Sequence, residues 1–287
     1  MKNFLIVMFI VMTAQAKIAL VQYYPEFSKI EKNMNSLEIL ADEAVAKGAK
    51  IILFGEGAIG GYMKHNGRGI LEVWCTKNRS TLRTAKCRDV TTITNEEVKD
   101  KILDKWISYS REKSVYLLLQ IPYLDENQVY RNTAFGIGPK EGLMTVYHKS
   151  HLWWTDTGYA IAEKRGGVWK TPFGDYGLLI CADGHFAPYL FEGYAKLGVD
   201  KYLALGYGIV GGYYARNASY YGMEGIFVDS QLYLGRTFKD GKVKVYNNEG
   251  KAGNTLFDWD LNFIGHYPSS KVNQDVNFEK RTIFYQL

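Results

Sequence analysis

FGDYGLLICADGHF, residues Phe173 to Phe186, decides the fold. Gly174 and Gly177 bracket a turn into Leu178-Leu179-Ile180, which reads as a short buried strand. Cys181 ends that strand, and Pro188 opens a helix through about Gly198. The thiol is therefore placed at a strand-to-helix elbow, near a positive helix end. Two further stretches share this logic. In KGAKIILFGEGAIGGY, Lys47 to Tyr62, Glu56 follows the apolar strand Lys50 to Phe54. In VYHKSHLW, Val146 to Trp153, Lys149 lies just beyond a hairpin formed by Val129 to Gly138, the turn Pro139-Lys140-Glu141-Gly142, and Leu143 to Tyr147.

Three chemistry-bearing residues at strand tips suggest one reaction. A thiol is a useful nucleophile as thiolate, and a free cysteine at neutral pH is mostly protonated, so a neighbour must take its proton or stabilise its anion. Glu56 can do the first and Lys149 the second. Lys149 and the backbone N–H of Ala182 can also hold the oxyanion of a tetrahedral intermediate. Each residue also has an ordinary reading. Cysteine is among the most buried residue types, a glutamate after Ile51-Ile52-Leu53-Phe54 can be a solvated strand end, and a lysine can be a surface charge. Their joint occurrence, in this order and inside alternating strands and helices, favours the chemical reading.

Those same stretches resemble the nitrilase, or carbon–nitrogen hydrolase, superfamily, and so does VYRNTAFGIGP ahead of the hairpin turn. The resemblance runs from about Lys17 to Tyr267. It implies an α/β fold, a four-layer α-β-β-α sandwich in which two chains pack into an eight-layer homodimer. It also implies a catalytic triad of Glu56, Lys149 and Cys181 that cleaves a non-peptide C–N bond of a small-molecule amide through a cysteine thioester, with no cofactor. There are departures from the family pattern. Gly55 stands where the family has proline before its glutamate. A second, substrate-positioning glutamate is expected between the lysine and the cysteine, for which Glu163 is the first candidate and Asp156 the second. Ala182-Asp183-Gly184-His185 looks more like the amidase branches than the Trp-Glu of nitrile hydrolases, and Asp183 and His185 join the candidates for positioning substrate. The rival classes are an acyltransferase that passes the thioester to an amine, and a binding protein of the same fold without turnover. The presence of all three triad residues weighs against the second.

Composition agrees with one large domain. The chain has 287 residues, 47% of them hydrophobic and 15% aromatic, with no Pro-, Gly- or Ser-rich linker and no repeat. Met1-Lys2-Asn3, the apolar run Phe4 to Met12 and Ala14-Gln15-Ala16 read as a secretory signal peptide over residues 1–16, too short to span a bilayer, followed by a hydrolase domain over 17–287. A secreted or periplasmic location follows. The formal charge of +5 is mild and gives no case for nucleic-acid binding.

Elsewhere the pattern is regular. Met34, Leu37, Leu40, Ala41, Ala44 and Val45 recur at helical spacing, with Gly48 as stop. Thr94 and Glu97 form a capping box for a helix carrying Val98, Ile102, Trp106 and Ile107. Strands are expected at Ser114 to Ile121, Lys201 to Leu205, Ile226 to Val228, Leu232 to Phe238, Thr255 to Trp259 and Phe263 to Tyr267, with a helix over Tyr213 to Gly225.

His148, His151 and His185 raise a Cys/His metal site or a Cys–His dyad, but no Cys-x-x-Cys or His-x-x-x-His pattern supports a metal. From Lys64 to Arg88, seven basic residues (Lys64, Arg68, Lys77, Arg79, Arg83, Lys86, Arg88) stand against one acidic residue, Glu72. This is either a solvated loop or a lid biased toward anionic substrates bearing carboxylate or phosphate. Export places three cysteines in an oxidising compartment, and the pairing most compatible with catalysis is a Cys75–Cys87 disulfide that leaves Cys181 free. Asn78-Arg79-Ser80 and Asn217-Ala218-Ser219 are glycosylation sequons.

Overall fold

The computed structural model describes residues 17–66, 69–76, 85–209, 211–230, 233–247, 253–257 and 263–268. The expected signal peptide lies outside them, as do Arg68, Lys77, Arg79 and Arg83 of the basic stretch and the first sequon. The chain opens with β1 (Lys17–Gln22), α1 (Ile30–Ala46) and β2 (Ala49–Phe54). An insert follows, of β3 (Met63–His65), β4 (Ile70–Cys75) and β5 (Lys86–Asp89), then α2 (Thr91–Thr94) and α3 (Glu96–Lys113). Next come β6 (Tyr116–Leu124), the hairpin strands β7 (Tyr130–Gly138) and β8 (Gly142–His148), β9 (Val168–Thr171) and β10 (Gly174–Ile180). After the elbow lie α4 (Ala182–Phe186), α5 (Pro188–Lys196), β11 (Lys201–Gly206), α6 (Gly211–Tyr220) and β12 (Glu224–Asp229). The last strands are β13 (Tyr233–Thr237), β14 (Val243–Asn247), β15 (Gly253–Phe257) and β16 (Phe263–Pro268).

These strands form a seven-stranded sheet in the order β16-β15-β1-β2-β6-β7-β8 and a six-stranded sheet in the order β14-β13-β12-β11-β10-β9. Each has three parallel strands at its centre, β1-β2-β6 and β10-β11-β12, with antiparallel strands at the flanks. Because side chains alternate along a strand, every central strand serves two cores. Ala19, Val21, Ile52, Phe54, Leu117 and Leu119 face α1 and α3, packing on Leu37, Leu40, Ala44, Ile102 and Trp106. Their neighbours Ile18, Leu20, Ile51, Leu53 and Leu118 face the other way and meet Leu178, Ile180, Leu203, Leu205, Ile226 and Val228 of the second sheet. On that sheet's outer face Leu179, Tyr202, Ala204 and Phe227 pack on α5 and α6 through Phe191, Tyr194, Tyr214 and Ala218. The result is the α-β-β-α sandwich.

Several local readings change. Asn95, not Thr94, caps α3: its Oδ1 accepts from Glu97 N at 3.0 Å, while Thr94 Oγ1 is turned back to Val90 O within α2. Gly174 (φ +139°) makes the turn into β10, but Gly177 lies inside the strand, where a Cβ would come within 2.4 Å of the Tyr194 ring. Helix α6 stops at Tyr220, because Gly222 (φ +66°) turns the chain and buried Met223 leads into β12. The strand expected from Leu232 begins at Tyr233 among the described residues. The basic stretch contains the small sheet β3-β4-β5, which periodicity did not signal. Trp74 anchors it, buried against Phe27 and donating to Gly61 O at 2.7 Å. A Cys75–Cys87 disulfide joins β4 to β5 with Cα atoms 5.6 Å apart.

Candidate active site

The C-terminal ends of the central strands of both sheets meet at one place, and there the chain puts Glu56, Lys149 and Cys181. Cys181 has φ +42° and ψ −103°, a conformation that costs energy for any residue with a Cβ. Surrounding bonds hold it there. Cys181 N donates to Leu205 O at 2.8 Å, and Cys181 O accepts from Tyr214 O–H at 2.6 Å and from Gly184 N at 3.2 Å. Gly184 has no room for a side chain, since a Cβ would lie 2.1 Å from the Tyr214 ring. The helix that begins immediately after the cysteine is the short α4, ahead of the expected one at Pro188. The N–H groups of Ala182 and Asp183 belong to its first turn, where no intrahelical acceptor is available.

Glu56 sits at the tip of β2, its N–H donating to Gly206 O at 3.2 Å. Gly55 before it lies so close to the chain after β12 that a Cβ would meet Ser230 Oγ at 2.2 Å and Ser230 N at 2.8 Å, which accounts for glycine there. Lys149 Nζ donates to Glu56 Oε1 and to Asp156 Oδ2, each at 2.7 Å. Glu56, Lys149 and Asp156 are all 0% exposed and Cys181 is 5% exposed, so two carboxylates share one ammonium in a dry site beside the thiol. Asn132 Nδ2 donates to Glu56 Oε1 at 2.8 Å and to Asp156 Oδ1 at 3.1 Å, and Tyr62 O–H donates to Asp156 Oδ1 at 3.0 Å. The rings of Tyr62 and Tyr207 lie 4.9 Å apart as walls of the site, and the thiol donates to Tyr207 O at 3.6 Å.

This environment sets the charges. Burial pushes the Glu56 carboxyl up to about 7, against the lowering influence of Lys149. Burial works against the Lys149 charge, but Asp156 and Glu56 outweigh it and hold the ammonium charged well above its ordinary range. Burial, and then the Glu56 carboxylate, push the Cys181 thiol well up, so it rests protonated.

The other candidates fall differently. Asp156, the second candidate for the additional acid, is the one that meets Lys149; it starts a 3-10 turn (Asp156–Gly158) that no periodicity announced. Glu163 does not reach the cluster: its carboxylate stands 3.8 Å from His148 Nε2, part exposed. Asp183 has both carboxylate oxygens taken up by donors of the protein itself. Its Oδ1 accepts from Ser150 N at 2.9 Å and His151 N at 2.6 Å, and its Oδ2 from Ile180 N at 2.9 Å and Tyr147 O–H at 2.6 Å. It is a buried clamp between the residues after Lys149 and the strand before Cys181, and burial raises it to about 6. His185 lies on α4 among the rings of Phe186, Tyr213 and Tyr214. His148 is bonded to Thr133 Oγ1 at 2.8 Å and His151 packs on Phe186, so the three histidines do not converge with Cys181 on a shared centre. Asn217, of the second sequon, spends its side-chain amide on Gly184 O at 2.9 Å. Asn132 and Gln120 were missed as site residues, although the VYRNTAFGIGP motif contained the first.

Residues 17–224 match the carbon–nitrogen hydrolase family, and the chain belongs to it. Among solved structures, an amidase from Nesterenkonia sp. superposes with a TM-score of 0.68 at 15% identity, covering 85% of this chain and 90% of that one. A variant of that amidase carrying the acetamide moiety of fluoroacetamide covalently at its active-site cysteine gives a TM-score of 0.67 at 15% identity, with 85% of this chain and 90% of that one covered. A glutamine-dependent NAD+ synthetase from Acinetobacter baumannii gives 0.67 at 15% identity, covering 93% of this chain and 49% of that one. At these identities the likeness is one of fold. No curated protein matched the sequence.

Proposed function

We propose that this chain is an amidase that cleaves the C–N bond of a small linear amide through a thioester on Cys181. The observation that carries the reading is the buried cluster in which Lys149 bridges Glu56 and Asp156 beside a strained, protonated thiol. As sulfur attacks the carbonyl carbon, its proton passes to Glu56, and the oxyanion is held by Lys149 Nζ and the Ala182 N–H. Collapse of the intermediate breaks the C–N bond while Glu56 returns the proton to the leaving nitrogen. Water, deprotonated by Glu56, then attacks the thioester, and the acid leaves as Cys181 recovers its proton. Asp156 keeps Lys149 charged and oriented throughout. A secreted homodimer is the form in which we expect the enzyme to act, and the described basic residues Lys64, Lys86 and Arg88 leave a preference for anionic amides as part of the proposal. A panel of short aliphatic amides, carbamoyl compounds, pantetheine-like amides and peptide terminal amides, assayed for ammonia release with Cys181→Ala as blank, tests it. Equal release by enzyme and blank on every substrate would overturn it.

A further inference from the structure

The two oxygens of Glu56 are treated differently. Oε1 accepts from Lys149 Nζ at 2.7 Å and Asn132 Nδ2 at 2.8 Å. Oε2 is buried and has no hydrogen-bond partner among the described residues. Behind Asn132 stands a second buried amide. Gly57 N donates to Gln120 Oε1 at 2.7 Å, and Gln120 Nε2 donates to Asn132 Oδ1 at 2.7 Å. The chain of donors thus starts at the residue after Glu56 and closes on the Glu56 side chain. A backbone N–H can only donate, so Gly57 fixes which end of the Gln120 amide faces it, and Gln120 in turn fixes the Asn132 amide. Gly57 has φ +73° and a Cβ there would lie 2.8 Å from Tyr62 Cβ, so the turn that presents this N–H requires glycine. Gln120 and Asn132 are 2% and 1% exposed, so neither amide can rotate into water.

We propose that Gln120 and Asn132 are positioning residues that load Glu56 Oε1 with donors and leave Oε2 as the oxygen that takes the Cys181 proton. The inference rests on Glu56 being the base. Without Asn132, the carboxylate would lose a donor to its ionised form in a site where water cannot replace it, and its proton affinity would rise. Glu56 is faced by Lys149 from the loop after β8, by Asp156 from the 3-10 turn, by Cys181 from the elbow, and by the hydroxyls of Tyr62, Tyr159, Tyr207 and Tyr214. Lys149 stays charged, and burial raises the four tyrosines so that they stay neutral through the working range.

The test needs no substrate. Iodoacetamide forms an S–C bond to Cys181 and releases iodide while the thiol proton passes to Glu56, and Cys75 and Cys87 are paired and do not react. Its rate against pH is measured for the wild type, Asn132→Leu, Gln120→Met and Glu56→Gln, each checked for native circular dichroism. Asn132→Leu should move the acid limb up by about one pH unit, a roughly tenfold slower reaction below the limb that recovers above it. Gln120→Met, which touches neither acid, should move it the same way by less, and reads the same limb if Asn132→Leu does not fold. A limb that stays in place in the folded variants, while Glu56→Gln slows and flattens the profile, overturns the positioning role and leaves the base. A profile unchanged in Glu56→Gln overturns both.

Discussion

Glu56 and Cys181 hang from consecutive carbonyls of one strand: Cys181 N donates to Leu205 O at 2.8 Å and Glu56 N to Gly206 O at 3.2 Å. The two residues come from different sheets and are 125 positions apart in sequence, so the end of β11 is the jig that sets base against nucleophile. Parallel strands ending together make such a site natural, because their exposed ends leave backbone groups to be shared by the connecting loops. It also means that the geometry depends on the core, and that the chemistry can be removed without disturbing it.

Cys181→Ala should therefore keep the fold and lose turnover to the blank level, since only a sulfur atom is removed from a backbone held by Tyr214 and Leu205. Glu56→Gln should retain the Lys149 contact yet lower kcat by several orders of magnitude, on the order of 10³ or more, because an amide cannot accept the thiol proton. Ammonia release and the melting temperature check both; substantial activity in Cys181→Ala would falsify the thioester mechanism.

Activity should rise with pH through an acid limb near 7, where Glu56 loses its proton. The stability contribution runs the opposite way. Folding raises this carboxyl from 4.5 to about 7, so the native state holds the proton more tightly than the unfolded chain. That contribution is full below 4.5 and is lost as the pH climbs through about 7. Glu56→Gln should accordingly compare better with the wild type in thermal melts at pH 8 than at pH 5. A difference that shrinks toward pH 5 would contradict the assignment.

The fold was legible because its central strands are continuous apolar runs, and runs such as Ile51-Ile52-Leu53-Phe54 and Leu178-Leu179-Ile180 are buried on both faces in the structure. Glu56, Lys149 and Cys181 stand where those runs stop, which is why position in sequence carried information about position in space. Asp156 ranks only second in the sequence because a short 3-10 turn has no period to detect, whereas Glu163 matches the expected residue type. The bonding of Asp183 was hidden for a related reason. A carboxylate two residues after a nucleophile looks chemical in one dimension, and only the folded chain shows four donors converging on it. The small sheet was invisible because Trp74 and a disulfide hold it, rather than an alternating pattern.

Lys149→Met should be among the most destabilising single changes in the chain. It leaves Glu56 and Asp156 buried with no cation, at a cost of about 3–5 kcal/mol. The penalty should be largest above pH 7 and shrink toward pH 5, because protonation relieves the orphaned Glu56 carboxylate. Urea unfolding at the two pH values measures it, and a pH-independent loss would count against the charge argument.

Replacing Cys75 and Cys87 with alanine opens a loop of 12 residues and should cost about 2–3 kcal/mol. The change should reach the site as well. Thr76 N donates to Gly158 O at 3.0 Å, and Gly158 lies so close to β4 that a Cβ would meet Trp74 O at 2.8 Å, so β4 braces the turn that carries Asp156. The double variant should lose kcat more than its melting temperature alone explains. Non-reducing peptide mapping of the oxidised wild type should find Cys181 as the free thiol.

Asp183→Asn tests whether this carboxylate acts as the clamp that ties the Lys149 loop to the elbow. An amide keeps one acceptor oxygen and turns an N–H₂ toward donors, either Ser150 N and His151 N or Ile180 N and Tyr147 O–H. Tyr147 can rotate its hydroxyl to accept, but a backbone N–H cannot, so at least one buried donor is left unpaired at a cost of about 1–3 kcal/mol. Tyr147→Phe removes one donor and leaves the other three in place, so it should be milder. The functional consequence separates a clamp from a substrate contact. If Asp183 only ties the two segments together, Asp183→Asn should lower kcat for every substrate by a similar factor, because Lys149 and Cys181 shift relative to each other whatever the acyl group. A loss confined to KM, or to one substrate of the panel, would return Asp183 to the substrate pocket.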